Sequence, residues 1–364
     1  MQGSSPQGAL APATASVLAN NPPLRAVGLT KRYGQRLAVR DLNLEVRRGD
    51  VFGLLGPNGS GKTTTLRMTL GLVAPTQGDV SLFGVSVSDT PRRRSLLRRV
   101  GALIEQPAFY PYLSGRDNLR IVATLSGAAA DRVARARIES VLAQVELADR
   151  AGDAYQKYSL GMKQRLGIAA ALLTEPELII LDEPTNGLDP AGIVDVRALI
   201  GRLARQGMTI ILSSHQLYEV QQICSRVAIL NLGTTVAQGQ VAELLAAQSG
   251  IVVGFDQPEL TARAMAALHA ATAEAPWLRG LQYVAPEPGA WVPPGGFLIA
   301  VDAPVERASE VCALLARQGL FPAELRRREG SLEQYFLELT GGQNGHSTSA
   351  VAPAAQPPTR GGAQ

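Results

Sequence analysis

The chain has 364 residues, 46% of them apolar and 18% charged, with a formal net charge of +4. That length allows about two domains. The charge excess is too small to argue for nucleic-acid binding, no apolar run approaches the ~20 residues of a membrane-spanning helix, and three histidines with two cysteines make no zinc cluster.

Residues 1–22 are rich in Ala, Pro, Ser, Gln and Asn and read as a disordered tail. They carry no Lys or Arg, so they lack the basic start of a secretory signal, and a cytoplasmic location is expected. Leu37–Val46 is strand-like, and Val51–Leu55 is a short apolar strand. It runs into Gly56-Pro57-Asn58-Gly59-Ser60-Gly61-Lys62-Thr63, the G-x-x-x-x-G-K-T spacing of a phosphate-binding loop. Thr64–Leu70 then reads as the first turns of a helix. Glycines let the backbone approach a phosphate closely. The loop N–H groups and the helix N-terminus make a site for negative charge. Lys62 can reach the β- and γ-phosphates, and the Thr63 hydroxyl suits Mg²⁺.

Arg92–Arg94 with Arg98 and Arg99 read as a solvated helical face. Ile138, Val141, Leu142 and Val145 mark one side of an amphipathic helix. Ser159, in Tyr-Ser-Leu-Gly-Met-Lys-Gln, can be a helix N-cap or a phosphate contact at a helix N-terminus. The segment alone does not choose between them. Leu178–Leu181 and Thr209–Leu212 are short apolar runs, as expected of strands buried on both faces of a parallel sheet. The first ends in Asp182 and Glu183. An Asp there can hold Mg²⁺, and a Glu beside it can polarise an attacking water. Ser213-Ser214-His215 follows the second run, at the sheet end where α/β ligands gather. A lone histidine there also reads as structural. Cys224 is expected on a helical stripe with Leu217, Val220 and Val227, and Cys312 on one with Ala308, Val311 and Leu315. Both read as small core residues.

A second block spans residues 251–341. Strand Ile251–Phe255, helix Glu259–His269, strand Leu281–Ala285, a turn over Pro286–Gly296, strand Phe297–Val301, helix Val305–Gln318 and strand Phe321–Arg326 are expected. That order is the split βαβ, ferredoxin-like arrangement. A last helix, Leu332–Leu339, carries Leu332, Tyr335, Phe336 and Leu339 on one face. Residues 343–364 read as a second disordered tail.

The order of motifs over residues 24–240 resembles the nucleotide-binding cassette of ATP-binding-cassette (ABC) transporters. Gly56–Thr63 corresponds to Walker A, Leu178–Glu183 to Walker B with its catalytic glutamate, and Ser159-Leu-Gly161 to the signature. Asn186–Asp189 corresponds to the D-loop, His215 to the switch histidine, and Tyr33 to the aromatic that stacks on adenine. The resemblance implies an α/β P-loop NTPase fold: a RecA-like core with antiparallel β and helical subdomains, followed by the small α+β domain. It implies ATP and Mg²⁺, with Gly56 to Thr64 holding phosphate and Thr63, Asp182 and Glu105 contacting the metal. It further implies catalysis by Glu183 and His215, and a second copy whose Ser159 and Gly161 complete each site while Asp189 relays contact between subunits.

Two departures stand out. The signature reads Tyr-Ser-Leu-Gly-Met where the family has Leu-Ser-Gly-Gly-Gln, and the Q-loop alignment puts Glu105, with Gln106 beside it, where a glutamine is usual. Ile104–Pro111, the signature segment and Gly330–Gly342 resemble the bacitracin- and lantibiotic-resistance exporter branch. On that resemblance the chain powers export through a separate permease, docked by the segment 105–119. It would sit on the inner face of the membrane through that permease. The alternative is a translation- or repair-associated ABC ATPase that transports nothing.

Overall fold

The computed structural model describes residues 21–105, 107–126, 132–286, 291–293 and 296–341. Gln106, the tail beyond 341, nearly all of the N-terminal tail and parts of the Pro286–Gly296 turn lie outside the described residues.

Strands β1 (Leu24–Tyr33) and β2 (Arg36–Val46) form a hairpin. It turns at Gly34, whose φ of +56° suits glycine. With β4 (Gln77–Leu82) and β5 (Val85–Ser86) they make an antiparallel sheet in the order β2-β1-β4-β5. The second sheet contains β3 (Val51–Leu55), β6 (Val100–Leu103), β7 (Leu178–Leu181), β8 (Thr209–Ser214), β9 (Arg226–Asn231) and β10 (Thr234–Gln240). Its order is β10-β9-β3-β8-β7-β6, parallel throughout except for the β10 edge.

The apolar runs seen in the sequence divide between two cores by the two-residue period of a strand. Ile179, Leu181, Ile210 and Leu212 face one cluster, and Leu178, Ile180 and Ile211 face the other. The first cluster is covered by α3 (Gly115–Leu125), α4 (Arg132–Gln144), α5 (Leu160–Leu172) and α6 (Pro190–Arg205), with Ile138, Val141, Leu142 and Val145 all buried in it. The second is closed by α1 (Lys62–Thr69), α2 (Thr90–Leu97) and the antiparallel sheet.

Two expectations are corrected. The helix after His215 is only α7 (Leu217–Gln221); Cys224 lies beyond its end and Val227 lies on β9. Their shared burial comes from strand and turn packing around Gly53, where a Cβ would meet Val220, Cys224 and Val227. The arginine run is not uniformly solvated either. Arg99 bonds Glu177 and stacks on the Phe83 ring at 3.8 Å, while Arg92 pairs with Asp89.

After α8 (Val241–Gln248), a third sheet is built from β11 (Gly250–Gly254), β12 (Gly280–Val284), β13 (Leu298–Asp302) and β14 (Glu324–Arg328). Its order, β12-β13-β11-β14, with all neighbours antiparallel, is that of the split βαβ. Helices α9 (Pro258–Ala271) and α10 (Ala308–Arg317) bury Ala264, Leu268, Val311 and Leu315 against Ile251, Val253, Ile299 and Val301. The expected helix from Val305 opens with a single 3₁₀ turn, Val305–Arg307. The last strand starts at Glu324 rather than Phe321, since Pro322 has no N–H to give a ladder. Helix α11 (Leu332–Gly341) then turns back to the first core: Leu332 is fully buried there, with Tyr335 and Phe336 packed beside it.

Candidate nucleotide site

The loop between β3 and α1 holds three glycines at positive φ: Gly56 (+142°), Gly59 (+81°) and Gly61 (+106°). A Cβ at Gly56 would stand 2.1 Å from the Leu230 carbonyl, and one at Gly61 2.6 Å from the Ala38 carbonyl. The loop is therefore wedged between the two sheets, and only glycine fits at those positions. Gly61 is the residue before α1, whose first-turn N–H groups have no carbonyl four residues back. The buried Ser60 hydroxyl finds no hydrogen-bond partner among the described residues. Free donors, an orphaned hydroxyl and a buried lysine suit a phosphate chain.

Lys62 is 5% exposed. Its ammonium donates to the Gly56 and Pro57 carbonyls at 2.7 and 3.3 Å and pairs with Glu183 Oε1 at 3.2 Å. A buried ammonium needs such partners. The other Glu183 oxygen, Oε2, lies 2.8 Å from His215 Nδ1. The three groups expected at the chemical step are thus in direct contact although they come from α1, the end of β7 and the end of β8. Glu183 holds a left-handed φ of +47°, which costs a side-chain-bearing residue about 1–2 kcal/mol. Ser213 offsets this: its hydroxyl accepts the Glu183 N–H at 2.8 Å and donates to Asp182 Oδ1 at 2.5 Å. Ser213 is fully buried and Asp182 is 6% exposed.

A cleft of about 370 Å³ opens over the loop. Tyr33, Asn58, Gly59, Gly61, Lys62, Thr63, Thr64 and Glu183 line it. Tyr33 is half-exposed at its mouth, an aromatic face on the hairpin turn. Asn186, the first residue of the segment likened to the D-loop, also lines the cleft, and so does Arg36, which was not among the residues singled out in the sequence. Arg36 had one usable signal, a cation just after the Tyr-Gly turn. Ser213 had another, as the residue two before the histidine.

The remaining expected residues lie elsewhere. Ser159 is an exposed N-cap, accepting the Met162 N–H at 3.2 Å, so the structural reading of that segment is satisfied. Asp189 is likewise the N-cap of α6, accepting from Gly192 at 3.1 Å. The two helix starts are neighbours: a Cβ on Gly161 would lie 3.8 Å from the Gly192 Cα. Neither Ser159, Gly161 nor Asp189 lines the chain's own cleft. Glu105, at a φ of +66°, pairs with Arg67 on α1, and its side chain is 64% exposed outside the cleft. Of the expected metal contacts, Thr63 lines the cleft, whereas Asp182 is held by Ser213 just before Glu183 and is not part of the cleft lining. Among the described residues, no group of three or more His, Cys, Asp or Glu side chains could hold a metal. A cation here would take most of its ligands from phosphate and water, which is how Mg²⁺ is usually bound.

Residues 39–186 match the family described as ABC transporter. The chain is similar to the bacitracin transport ATP-binding protein BcrA of Enterococcus faecalis, at 45% identity over 59% of this chain and 68% of that one. It is similar to the daunorubicin resistance ATP-binding protein DrrA3 of Streptomyces coeruleorubidus, at 36% identity over 86% of this chain and 94% of that one. Among solved structures, it resembles the dimeric post-hydrolysis state of the ATP-binding cassette MJ0796 bound to ADP and Pi. That match has a TM-score of 0.54 and 25% identity, and covers 60% of this chain and 98% of that chain.

Proposed function

The chain belongs to the ATP-binding proteins of ABC transporters, and we propose that it binds and hydrolyses ATP to power export through a separate membrane permease. The observation that carries the chemistry is the contact chain Lys62–Glu183–His215 at the mouth of the phosphate loop. Lys62 is charge-matched to a β,γ-phosphate, a stronger anion than the carboxylate it now pairs with. Once Lys62 turns to phosphate, Glu183 is free to accept a proton from water, and His215 orients the pair from the other side. Tyr33 offers its ring to the adenine. Thr63 and Asp182 would hold Mg²⁺, which neutralises charge on the phosphates when bound. Glu105 would join them only by leaving Arg67.

Ser159 and Gly161 do not line their own cleft, which supports a second copy of the chain whose signature helix covers the γ-phosphate. The exposed Ser159 and Asp189, with the half-buried Gly161 between the two helix starts, give such a copy a surface to meet. The cassette would then span residues 24–240, with 251–341 as an accessory domain. Among the described residues, no helix is long and apolar enough to cross a membrane, so the path for the exported compound would belong to a partner. That partnership would hold the chain against the inner face of the membrane. Tyr110 and Tyr112 are 61% and 81% exposed in the segment proposed to dock the permease. BcrA is named for bacitracin transport and DrrA3 for daunorubicin resistance, which favours a toxic-compound cargo over a translation or repair role. The test is co-expression with any multi-span membrane protein that the neighbouring open reading frame encodes. Co-purification with stimulated ATP turnover is expected; turnover with no membrane partner retained would argue for the non-transport reading.

A further inference from the structure

Helix α7 is a single short turn-and-a-half placed directly after His215, and five residues are too few to hold a helix by themselves. Its position must come from its neighbours. Glu219 reaches Arg197 on α6 at 3.4 Å, and Val220 is buried in the first core. The third support comes from the far end of the chain. The Leu332 N–H, in the first turn of α11, donates to Gln221 Oε1 at 3.2 Å, and the Leu332 side chain is fully buried beside α7. That N–H is one of the donors a helix start leaves without an internal partner, so Gln221 satisfies α11 while α11 fixes Gln221.

The start of α11 is itself pinned. Gly330 N–H donates to Ser249 Oγ at 3.2 Å, and Gln248 reaches Glu338 at 2.9 Å. A Cβ on Gly330 would stand 2.1 Å from the Leu245 carbonyl, so the two segments approach as closely as glycine allows.

We propose that α11 positions the catalytic histidine: by holding Gln221 and covering α7, it fixes the register of the His215 segment against Glu183. The C-terminal block thereby acts on the chemical step from outside the site. The proposal rests on the reading of His215 given above. Gln221 is a positioning residue, and its loss should slow turnover without weakening nucleotide binding.

The test uses the full chain. Gln221→Leu keeps the size of the side chain but removes the acceptor, and Gln221→Glu keeps an acceptor. Binding of a fluorescent ATP analogue and single-turnover hydrolysis are measured for both, alongside His215→Ala. The expected result is a turnover at least fivefold slower in Gln221→Leu, nucleotide affinity within twofold of the parent, and recovery in Gln221→Glu. Gly330→Ala, which forces the start of α11 off Leu245 without touching α7, should show the same split. Circular dichroism and melting temperature establish that each variant is folded. If His215→Ala turns over normally, the histidine reading itself fails. If His215→Ala is slow but folded Gln221→Leu and Gly330→Ala match the parent, the positioning role alone is overturned. Equal loss of affinity and turnover also overturns it.

Discussion

At the scale of residues, the site depends on small groups that fix larger ones. Ser213 is the plainest case: one buried hydroxyl orders both acids at the end of β7 and stabilises the left-handed backbone of Glu183. A second case lies at the opposite end of the sheet. Glu177 bonds Arg99 at 2.5 Å and Arg48 at 3.0 Å, tying the start of β6 to the turn before β3. The Arg99 hydrogen bond is the largest effect and holds the Glu177 carboxyl below its usual range against the opposing effect of burial, with the Arg48 hydrogen bond adding a smaller lowering. A depressed carboxyl contributes stability above its unfolded pKa and loses it as pH falls through the folded value. Thermal melts of Glu177→Gln should therefore show a lower Tm than the parent near about pH 7, with the gap closing near about pH 3. The side chain is 41% exposed, so the effect should be small and weakened by salt. A gap that widens on acidification would contradict the pairing.

At the scale of elements, strands β3, β7 and β8 and the phosphate loop were legible because their signals are local. An apolar run buried on both faces, followed by a glycine loop or an acid pair, has few other uses. The split-βαβ order was legible for the same reason, from alternating short strands and helices. What was not legible is where the last helix goes. Leu332, Tyr335 and Phe336 announce an apolar face, but the face carries no address. The structure puts it on α7 and α8, more than eighty residues upstream in the chain. The helix after His215 was overread for a related reason: buried Cys224 and Val227 mimic a helical stripe although they belong to a turn and a strand. Since Leu332 is fully buried, Leu332→Ala should cost about 2–5 kcal/mol. Denaturant unfolding followed by circular dichroism measures it; a cost under about 1 kcal/mol would mean that α11 is not packed on the first core.

At the scale of the whole molecule, the proposed mechanism divides one reaction between two surfaces, the cleft and the start of α5. Lys62 lies in the chain's own cleft, whereas Ser159 lies outside it. Lys62→Ala should weaken binding of a fluorescent ATP analogue by tenfold or more, about 1.4 kcal/mol, since it removes a buried cation from the phosphates. Ser159→Arg should leave that binding near the parent value yet stop hydrolysis, because the bulk and charge sit where a second copy is proposed to close. Equal loss of binding in both variants would remove the argument for a shared site. The central claim is that Glu183, held between Lys62 and His215, activates the water that cleaves ATP. ATP turnover by the purified full chain, parent against Glu183→Gln, addresses it most directly, because Gln keeps the shape but is a far weaker base. The expected result is turnover lower by about 10²–10⁴-fold, with ATP binding retained. Turnover within a few fold of the parent would contradict the role given to Glu183 and, with it, the mechanism built on that contact chain.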